Sequence, residues 1–163
     1  LLTTLTYQGK AICVTNVHLD VKGGMGHRLN QLRYLKEYIA KDIRQYEVIC
    51  GDFNTIGLPY FAQIQKRNIQ NILGGDFVNV FAKPIATHDV FLSTEEALLT
   101  KHALALLTFF KKRGFSFRQQ LDYIFVKGFE VGTADLYEIS GSDHFPLQAY
   151  IKLIRRHLSP HFI

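Results

Sequence analysis

The order of three segments near the start of the chain limits its fold more than any other feature. Residues 11–17 and 47–50 are short apolar runs that predict buried strands. The segment between them begins with a glycine-rich turn and predicts an amphipathic helix, because apolar residues recur at helical spacing at Leu29, Leu32, Leu35, Ile39 and Ile43. A strand, a helix and a strand in this order form a right-handed crossover between parallel strands. Both strands should therefore end at the same edge of one sheet.

The rest of the chain predicts an α/β fold with an antiparallel part near the C-terminus. We expect a hairpin of residues 1–7 and 11–18 around a turn at 8–10. Two further helices are expected, one over 59–69 and one that runs from a capping-box sequence at 93–96 to Gly114. The remaining segments are predicted to be a loop with short strands over 74–92 and three strands over 120–126, 131–137 and 147–153.

The composition fits one globular domain over residues 1–163. Of its residues 47% are hydrophobic and 20% charged, with a net charge of +5 that permits an anionic partner. With only two cysteines, Cys13 and Cys50, a disulfide scaffold is excluded, and their unlike surroundings exclude a paired zinc motif. No segment predicts a membrane span or a signal peptide, so we favour a cytoplasmic location. Because the only methionine is Met25, we expect the chain to be part of a longer protein.

Polar side chains cluster where the predicted strands end or begin. The edge shared by the two parallel strands is where open α/β sheets bind ligands, and an antiparallel neighbour begins at that same edge. The clusters should therefore meet there and suit a divalent cation with oxygen ligands and a phosphate held by hydrogen-bond donors. They are His18 with Asp20, Asp52 with Asn54, Asp122, and Asp143 with His144.

Each cluster alone also has a purely structural explanation. Residues 51–54 could be a strand-exit turn, and His18 a structural histidine. Asp122 could cap a strand or pair with Arg118, and residues 142–144 could form an ordinary turn. Four such coincidences in this order at predicted strand ends favour a functional site.

Five motifs in order resemble the signatures of the endonuclease/exonuclease/phosphatase superfamily, above all its small bacterial members. The resemblance implies a four-layer αββα sandwich with mixed β-sheets, of which this chain would be the C-terminal part, and an active site at one rim. The motifs are N-V-H-L-D at 16–20, R-L-N-Q-L at 28–32, G-D-F-N at 51–54, Q-L-D-Y-I-F-V at 120–126 and G-S-D-H-F-P-L at 141–147.

The resemblance also implies a role for each candidate residue. Asp52 would orient or deprotonate the attacking water, and Asn54 would help to place that water and the phosphate. Asp143 would bind the metal, Mg²⁺ or alternatively Mn²⁺, together with Asp52 and Asn54.

The two histidines are expected to act on the phosphate. Asp122 would accept a hydrogen bond from one nitrogen of His144, so that the other nitrogen can donate to a phosphoryl oxygen. His18 would be a second phosphate donor. We expect Arg28 and Gln31 to brace a loop rather than contact substrate.

Two departures from the family pattern limit these expectations. The family carries an asparagine and its main Mg²⁺-binding glutamate in an N-terminal half, and neither motif can be located here. We therefore expect weak or absent metal binding by this chain alone. An apolar sheet face should also be covered by another chain or by the missing N-terminal half.

These observations predict a Mg²⁺-dependent hydrolase of phosphate esters, favouring phosphodiesterase or nuclease activity. Nucleic acid is the first expected substrate because of the +5 charge, and a phospholipid or inositol phosphate head group is the second. The alternative is a catalytically incomplete relative that binds anions without turnover. The helix expected over 94–113 is either buried or a surface helix that contacts membrane or nucleic-acid phosphates.

Overall fold

The computed structural model describes residues 1–42, 44–55, 59–90, 108–109, 112–114, 118–139 and 141–154. Strands and helices are mixed up to Asn79, and the elements with assigned bounds from His88 onwards are strands. The helices are α1 (Gly24–Ile39) and α2 (Pro59–Leu73). The strands are β1 (Leu2–Tyr7), β2 (Lys10–His18), β3 (Tyr46–Asp52), β4 (Val78–Asn79), β5 (His88–Asp89), β6 (Arg118–Gln119), β7 (Asp122–Lys127), β8 (Phe129–Leu136) and β9 (Leu147–Leu153).

A mixed sheet of five strands in the order β1-β2-β3-β7-β4 lies at the centre of the structure. Strands β2 and β3 are parallel, as their connection through α1 predicted, whereas the other pairs in this sheet are antiparallel. The C-terminal ends of β2 and β3 and the N-terminal end of β7 therefore lie at one edge. Two smaller sheets, β5-β6 and β8-β9, accompany it.

The predicted N-terminal hairpin is confirmed, with a two-residue turn between β1 and β2. Gln8 and Gly9 have φ angles of 50° and 69°. Two successive positive φ angles give the turn the twist that hairpin strands need, and Gly9 adopts this conformation without a steric penalty.

Alternate residues of the central strands pack against two different layers. On one face, Ile49, Tyr123 and Phe125 are buried with Leu32 of α1 and with Ile69 and Leu73 of α2. On the other face, Val48, Ile124 and Val126 pack with the β8-β9 hairpin. The period of two along each strand thus separates a helical layer from a second sheet layer. These layers agree with the expected αββα sandwich.

Several element boundaries differ from the predicted ones. Helix α2 continues to Leu73 instead of stopping at 69. It ends there because Gly74 takes a φ of +92°, and because the Gln70 side-chain amide donates to the Gly74 and Phe77 carbonyls over 3.1 and 2.7 Å. Strand β7 begins at Asp122, two residues later than predicted, since Leu121 bonds to a loop residue and not to a strand.

Some predictions concern residues outside the described ranges. These are Ile43 and most of the helix expected over 94–113. Within the described ranges, no helix has both the length and the apolar character to cross a membrane.

Several of the large apolar side chains that are exposed lie on β-strands or beside them. Leu5 and Tyr7 on β1 are exposed, as are Tyr137, Ile139 and Tyr150 in and beside the β8-β9 hairpin. Exposed apolar residues grouped on sheet strands are typical of surfaces that contact another segment or chain.

Candidate active site

Three candidate residues lie side by side at the edge where β2 and β3 end. His18 is the register partner of Asp52 in the parallel pair, and Asp52 is the register partner of Asp122 in the antiparallel pair. The His18 Nε2 atom is 3.7 Å from Asp52 Oδ2. Backbone pairing across three strands therefore places these three side chains together.

Gly51 allows β3 to approach β2 closely just before this row. Its φ is +123°, and a Cβ atom there would lie 2.1 Å from the Val17 carbonyl oxygen. Only glycine can occupy this position without moving the backbone. The glycine of the G-D-F-N motif thus fixes where Asp52 leaves the sheet.

Asn54 completes a tight turn that holds the Asp52 carboxylate. Its backbone N–H donates to Asp52 Oδ1 over 2.7 Å, and its side-chain amide nitrogen donates to the Leu19 carbonyl over 2.7 Å. Asn54 has a φ of 48°, a left-handed conformation that asparagine tolerates better than most residues. The residue connects the ends of β2 and β3.

Burial is the main cause of a raised pKa at Asp52. The negative charge of Asp122 raises this pKa further, whereas the Asn54 hydrogen bond and the charges of His144 and His18 lower it. A half-buried carboxylate that binds a proton more readily than usual is typical of a general base.

Asp122 and His144 form the shortest side-chain contact between the predicted site residues. The His144 Nδ1 atom is 2.8 Å from Asp122 Oδ2. The partner of Asp122 is therefore His144, and the alternative pairing with Arg118 is wrong. Arg118 instead makes a bidentate contact with Glu138, with N–O distances of 2.5 and 3.1 Å.

The net effect of its surroundings raises the pKa of His144. Burial lowers it, but the hydrogen bond to Asp122 and the charges of Asp122, Asp52 and Asp143 prevail. We assign the Nδ1 proton to the bond with Asp122, which leaves Nε2 for another partner. All three aspartates thus lie near enough to His144 for their charges to raise its pKa.

The sequence analysis did not identify Thr87, which holds this arrangement together. Its side chain is fully buried, and its Oγ1 accepts hydrogen bonds from the backbone N–H groups of Leu121 and Asp122, both over 2.9 Å. Its carbonyl accepts from the Phe145 N–H over 2.7 Å. Thr87 therefore connects the start of β7 to the segment that carries Asp143 and His144.

His88 is a second site residue that the sequence analysis missed. It is buried, it forms a backbone bridge with His144, and the two rings meet edge to face with centroids 4.8 Å apart. Its Nε2 atom is 3.5 Å from Asp143 Oδ2. Burial lowers the pKa of His88, and the charge of His144 lowers it further, while Asp143 acts in the opposite direction. The only available signal was a Thr-His-Asp sequence at 87–89 within a stretch that looked like loop.

The carboxylates and histidines at this edge could hold a metal ion. Within the described part of the chain, His88, Asp143 and His144 form a group in which one ligand atom of each lies within 4.8 Å of the others. Asp143 is the candidate metal ligand that this group shares with the predicted set, while Asp52 and Asn54 lie in the neighbouring row.

Arg28 and Gln31 contact the loop after β2 from the buried side of α1. Gln31 Oε1 accepts from the Asp20 N–H over 3.0 Å, and Arg28 donates to the Asp20 and Val21 carbonyls over 3.3 Å each. These contacts agree with the expected bracing role. Asp20 itself turns away from the row, since its Oδ2 accepts from the Gly23 N–H over 2.6 Å.

No protein-family model matches the chain, and no curated protein matches it. Solved structures, in contrast, resemble it over nearly its whole length. TDP2 of D. rerio, complexed with a single-strand DNA product, has a TM-score of 0.63 at 16% identity, covering 93% of this chain and 60% of that one. A functionally unknown conserved protein of Enterococcus faecalis V583 has a TM-score of 0.58 at 25% identity, covering 91% and 53%.

An endonuclease/exonuclease/phosphatase family protein from Leptotrichia buccalis C-1013-b is also similar. Its TM-score is 0.59 at 18% identity, covering 92% of this chain and 52% of that one. The chain therefore spans between 52% and 60% of the length of these three proteins. The likeness concerns the fold.

Proposed function

Because this chain has the fold of the endonuclease/exonuclease/phosphatase superfamily, we propose that it hydrolyses phosphate esters, and phosphodiesters in particular, with the help of Mg²⁺. The observation that carries this proposal is the row of His18, Asp52 and Asp122 at one sheet edge, with His144 bonded to Asp122. The row combines a candidate base with donors for a phosphate.

Asp52 is the proposed general base. Its raised pKa and its position beside His18 suit a carboxylate that takes a proton from an attacking water. The Asn54 N–H holds one carboxylate oxygen, which leaves Oδ2 to face the site. Asn54 would position Asp52 through this bond and contact the phosphate beside it.

His144 is the proposed donor to the phosphate. Asp122 fixes its tautomer and favours its charged form, so Nε2 can donate to a phosphoryl oxygen as negative charge develops there. His18, whose side chain is largely exposed, would donate to the same phosphate from the other side of Asp52.

The residues present fit a divalent cation. The charges of three carboxylates raise the pKa of His144, so all three lie near this ring. Their oxygen atoms are the ligands that hard cations such as Mg²⁺ prefer. Asp143, together with Asp52 and Asn54, would hold the ion, with Mn²⁺ as a substitute. A bound cation would lower the pKa of a coordinated water and offset charge on the phosphate.

Nucleic acid is the proposed substrate class. The chain carries a net charge of +5, which favours a polyanion, and a neighbour of the same fold is complexed with a DNA product. A phospholipid or inositol phosphate head group is the second substrate class.

A second candidate function is anion binding without turnover. It is favoured by the net charge of +5 and by the His144 ring held by Asp122, which suit an anion whether or not that anion is hydrolysed.

Hydrolysis of bis-nitrophenyl phosphate and of plasmid DNA, with Mg²⁺ or Mn²⁺ and with a chelator, tests the first proposal. Asp52→Asn should lower kcat ~10²–10⁴-fold, since it removes the base while keeping the shape of the side chain. Asp76→Asn, at an exposed turn, is the matched control and should leave kcat unchanged.

Two results would contradict parts of this proposal. One is metal-dependent turnover that survives Asp52→Asn, which would exclude Asp52 as the general base. The other is a lack of turnover with DNA, with the small diester and with a lipid head group, which would favour the anion-binding alternative.

We also propose that another chain or a further segment covers the exposed apolar residues of β1 and the β8-β9 hairpin. Light scattering tests this proposal: a strictly monomeric chain that does not bind a hydrophobic dye would contradict it.

A further inference from the structure

His88, Asp143 and His144 form a compact set of two imidazoles and one carboxylate. Their ligand atoms lie within 4.8 Å of one another, and the His88 Nε2 to Asp143 Oδ2 distance is already 3.5 Å. A tetrahedral ion about 2.1 Å from each ligand needs ligand atoms ~3.4 Å apart. The distances between the ligand atoms therefore exceed this tetrahedral value by at most ~1.4 Å, and the side chain of His144 is 35% exposed.

The backbone holds these three residues in place. His88 and His144 are paired in a β-bridge, and the Asp89 N–H donates to the Asp143 carbonyl over 2.9 Å. The Phe145 N–H donates to the Thr87 carbonyl on the other side of that bridge. The set therefore lies on paired backbone segments, which suits a preorganised metal site.

Asp122 gives His144 the environment of a metal-binding histidine. Its carboxylate accepts from His144 Nδ1 over 2.8 Å, so Nε2 is the nitrogen left for an ion. A carboxylate behind an imidazole in this way orients the ring and strengthens it as a ligand.

His88 is the least exposed residue of the set. Its side chain is 11% exposed, and its Nδ1 atom has no hydrogen-bond partner among the described residues. Its Nε2 atom faces Asp143 at 3.5 Å and is therefore the nitrogen available to an ion.

We propose that His88, Asp143 and His144 bind a borderline divalent transition metal such as Zn²⁺ or Co²⁺, with water as the fourth ligand. Two nitrogens and one oxygen are the donors that such ions prefer, whereas Mg²⁺ prefers six oxygens. The site shares Asp143 with the proposed oxygen-rich Mg²⁺ set and differs from that set in needing His88, which the hydrolase proposal does not use.

This site would also regulate the proposed hydrolase, a consequence that rests on the proposed function. An ion on His144 Nε2 occupies the nitrogen that would donate to the phosphate. Zn²⁺ should therefore inhibit hydrolysis measured in excess Mg²⁺, and His88→Gln should weaken the inhibition by Zn²⁺.

Calorimetric titration of the full chain with ZnCl₂ tests the site directly. We expect one Zn²⁺ per chain, and an affinity at least ~10-fold lower in His88→Gln and in His144→Gln. Asp122→Asn should weaken binding ~10–100-fold by acting through His144. His27→Gln is the matched control, because His27 Nε2 is also near a carboxylate, 3.9 Å from Asp20 Oδ2, but lacks the third ligand.

A second measurement tests the site even if the buried His88 variant does not fold. Visible absorption of the Co²⁺-loaded chain should show the bands of a tetrahedral site, and His144→Gln should abolish them. A chain that binds no Zn²⁺, or whose His88 and His144 variants bind as tightly as the His27 variant, would overturn the proposal. Neither binding measurement requires turnover, so their outcome is separate from that of the hydrolase test.

Discussion

Replacing Thr87 by valine tests whether one hydroxyl joins the two halves of the candidate active site. Valine has nearly the same shape as threonine but no oxygen. The Thr87 hydroxyl is the acceptor for the Leu121 and Asp122 N–H groups, and the residue has no exposed surface. Thr87→Val therefore leaves two buried donors unpaired without creating a large cavity.

The size of the effect follows from those two donors. Each unpaired buried N–H costs about 1–3 kcal/mol, so the valine variant should lose about 2–6 kcal/mol of the free energy of unfolding. Thr87→Ser keeps the acceptor and removes one methyl group, which costs about 1 kcal/mol. The serine variant should therefore be the more stable of the two, although serine differs more in shape.

Urea denaturation of the three proteins measures this difference. We expect the order of stability to be the original chain, then serine, then valine, with similar slopes of free energy against urea. If the valine variant is as stable as the serine variant, the two hydrogen bonds contribute nothing, and Thr87 does not hold the Asp122 segment as described.

The remaining predictions concern the glycine before Asp52, the His144 ring and the metal. Gly51→Ala should destabilise the fold by at least ~3 kcal/mol in a thermal or urea melt, because its Cβ would lie 2.1 Å from a carbonyl at a φ of +123°. Gly75→Ala, which has open space around it, should cost less than ~1 kcal/mol, and equal losses would contradict the argument. The pKa of His144, followed by NMR in metal-free buffer, should lie above its usual value and fall in Asp122→Asn, where only the charges of Asp52 and Asp143 still oppose the effect of burial; an unchanged pKa would show that the pair is not formed. Chelation should abolish hydrolysis and added Mg²⁺ should restore it, whereas activity that persists in chelator would exclude the metal dependence.

The central part of the fold could be predicted because its sequence signals are long and periodic. The apolar runs of β2 and β3 and the leucine spacing of α1 define a parallel crossover, and that crossover fixes which strand ends share an edge. The approach of His18, Asp52 and Asp122 follows from that topology and from the antiparallel return of β7.

Thr87 and His88 could not be predicted in the same way. They lie in and beside a strand of only two residues, His88–Asp89, which is too short to show a period of two. Their role depends on hydrogen bonds to Leu121, Asp122 and Phe145, residues more than thirty positions away. A sequence pattern carries no record of contacts between such distant loop residues.

The end of α2 was missed for a different reason. The helix was predicted to stop at 69, but Ile69, Ile72 and Leu73 continue its apolar face into the core. The side-chain amide of Gln70 then donates hydrogen bonds to the carbonyls of Gly74 and Phe77, which follow the helix. Such capping by a long polar side chain has no fixed sequence signature.

The placement of His18, Asp52 and Asp122 in one register row has a consequence for how such a site can evolve. Their separation is set by the hydrogen-bonded spacing of neighbouring strands, about 4.8 Å, and not by the length of any connection. Insertions or deletions in the surrounding connections can therefore reshape what the protein recognises while the distances between its reactive groups stay constant. Only a slip of one strand against the next would alter those distances, and that slip would turn the buried face of the strand outwards. Recognition and reactivity can thus diverge independently along this chain.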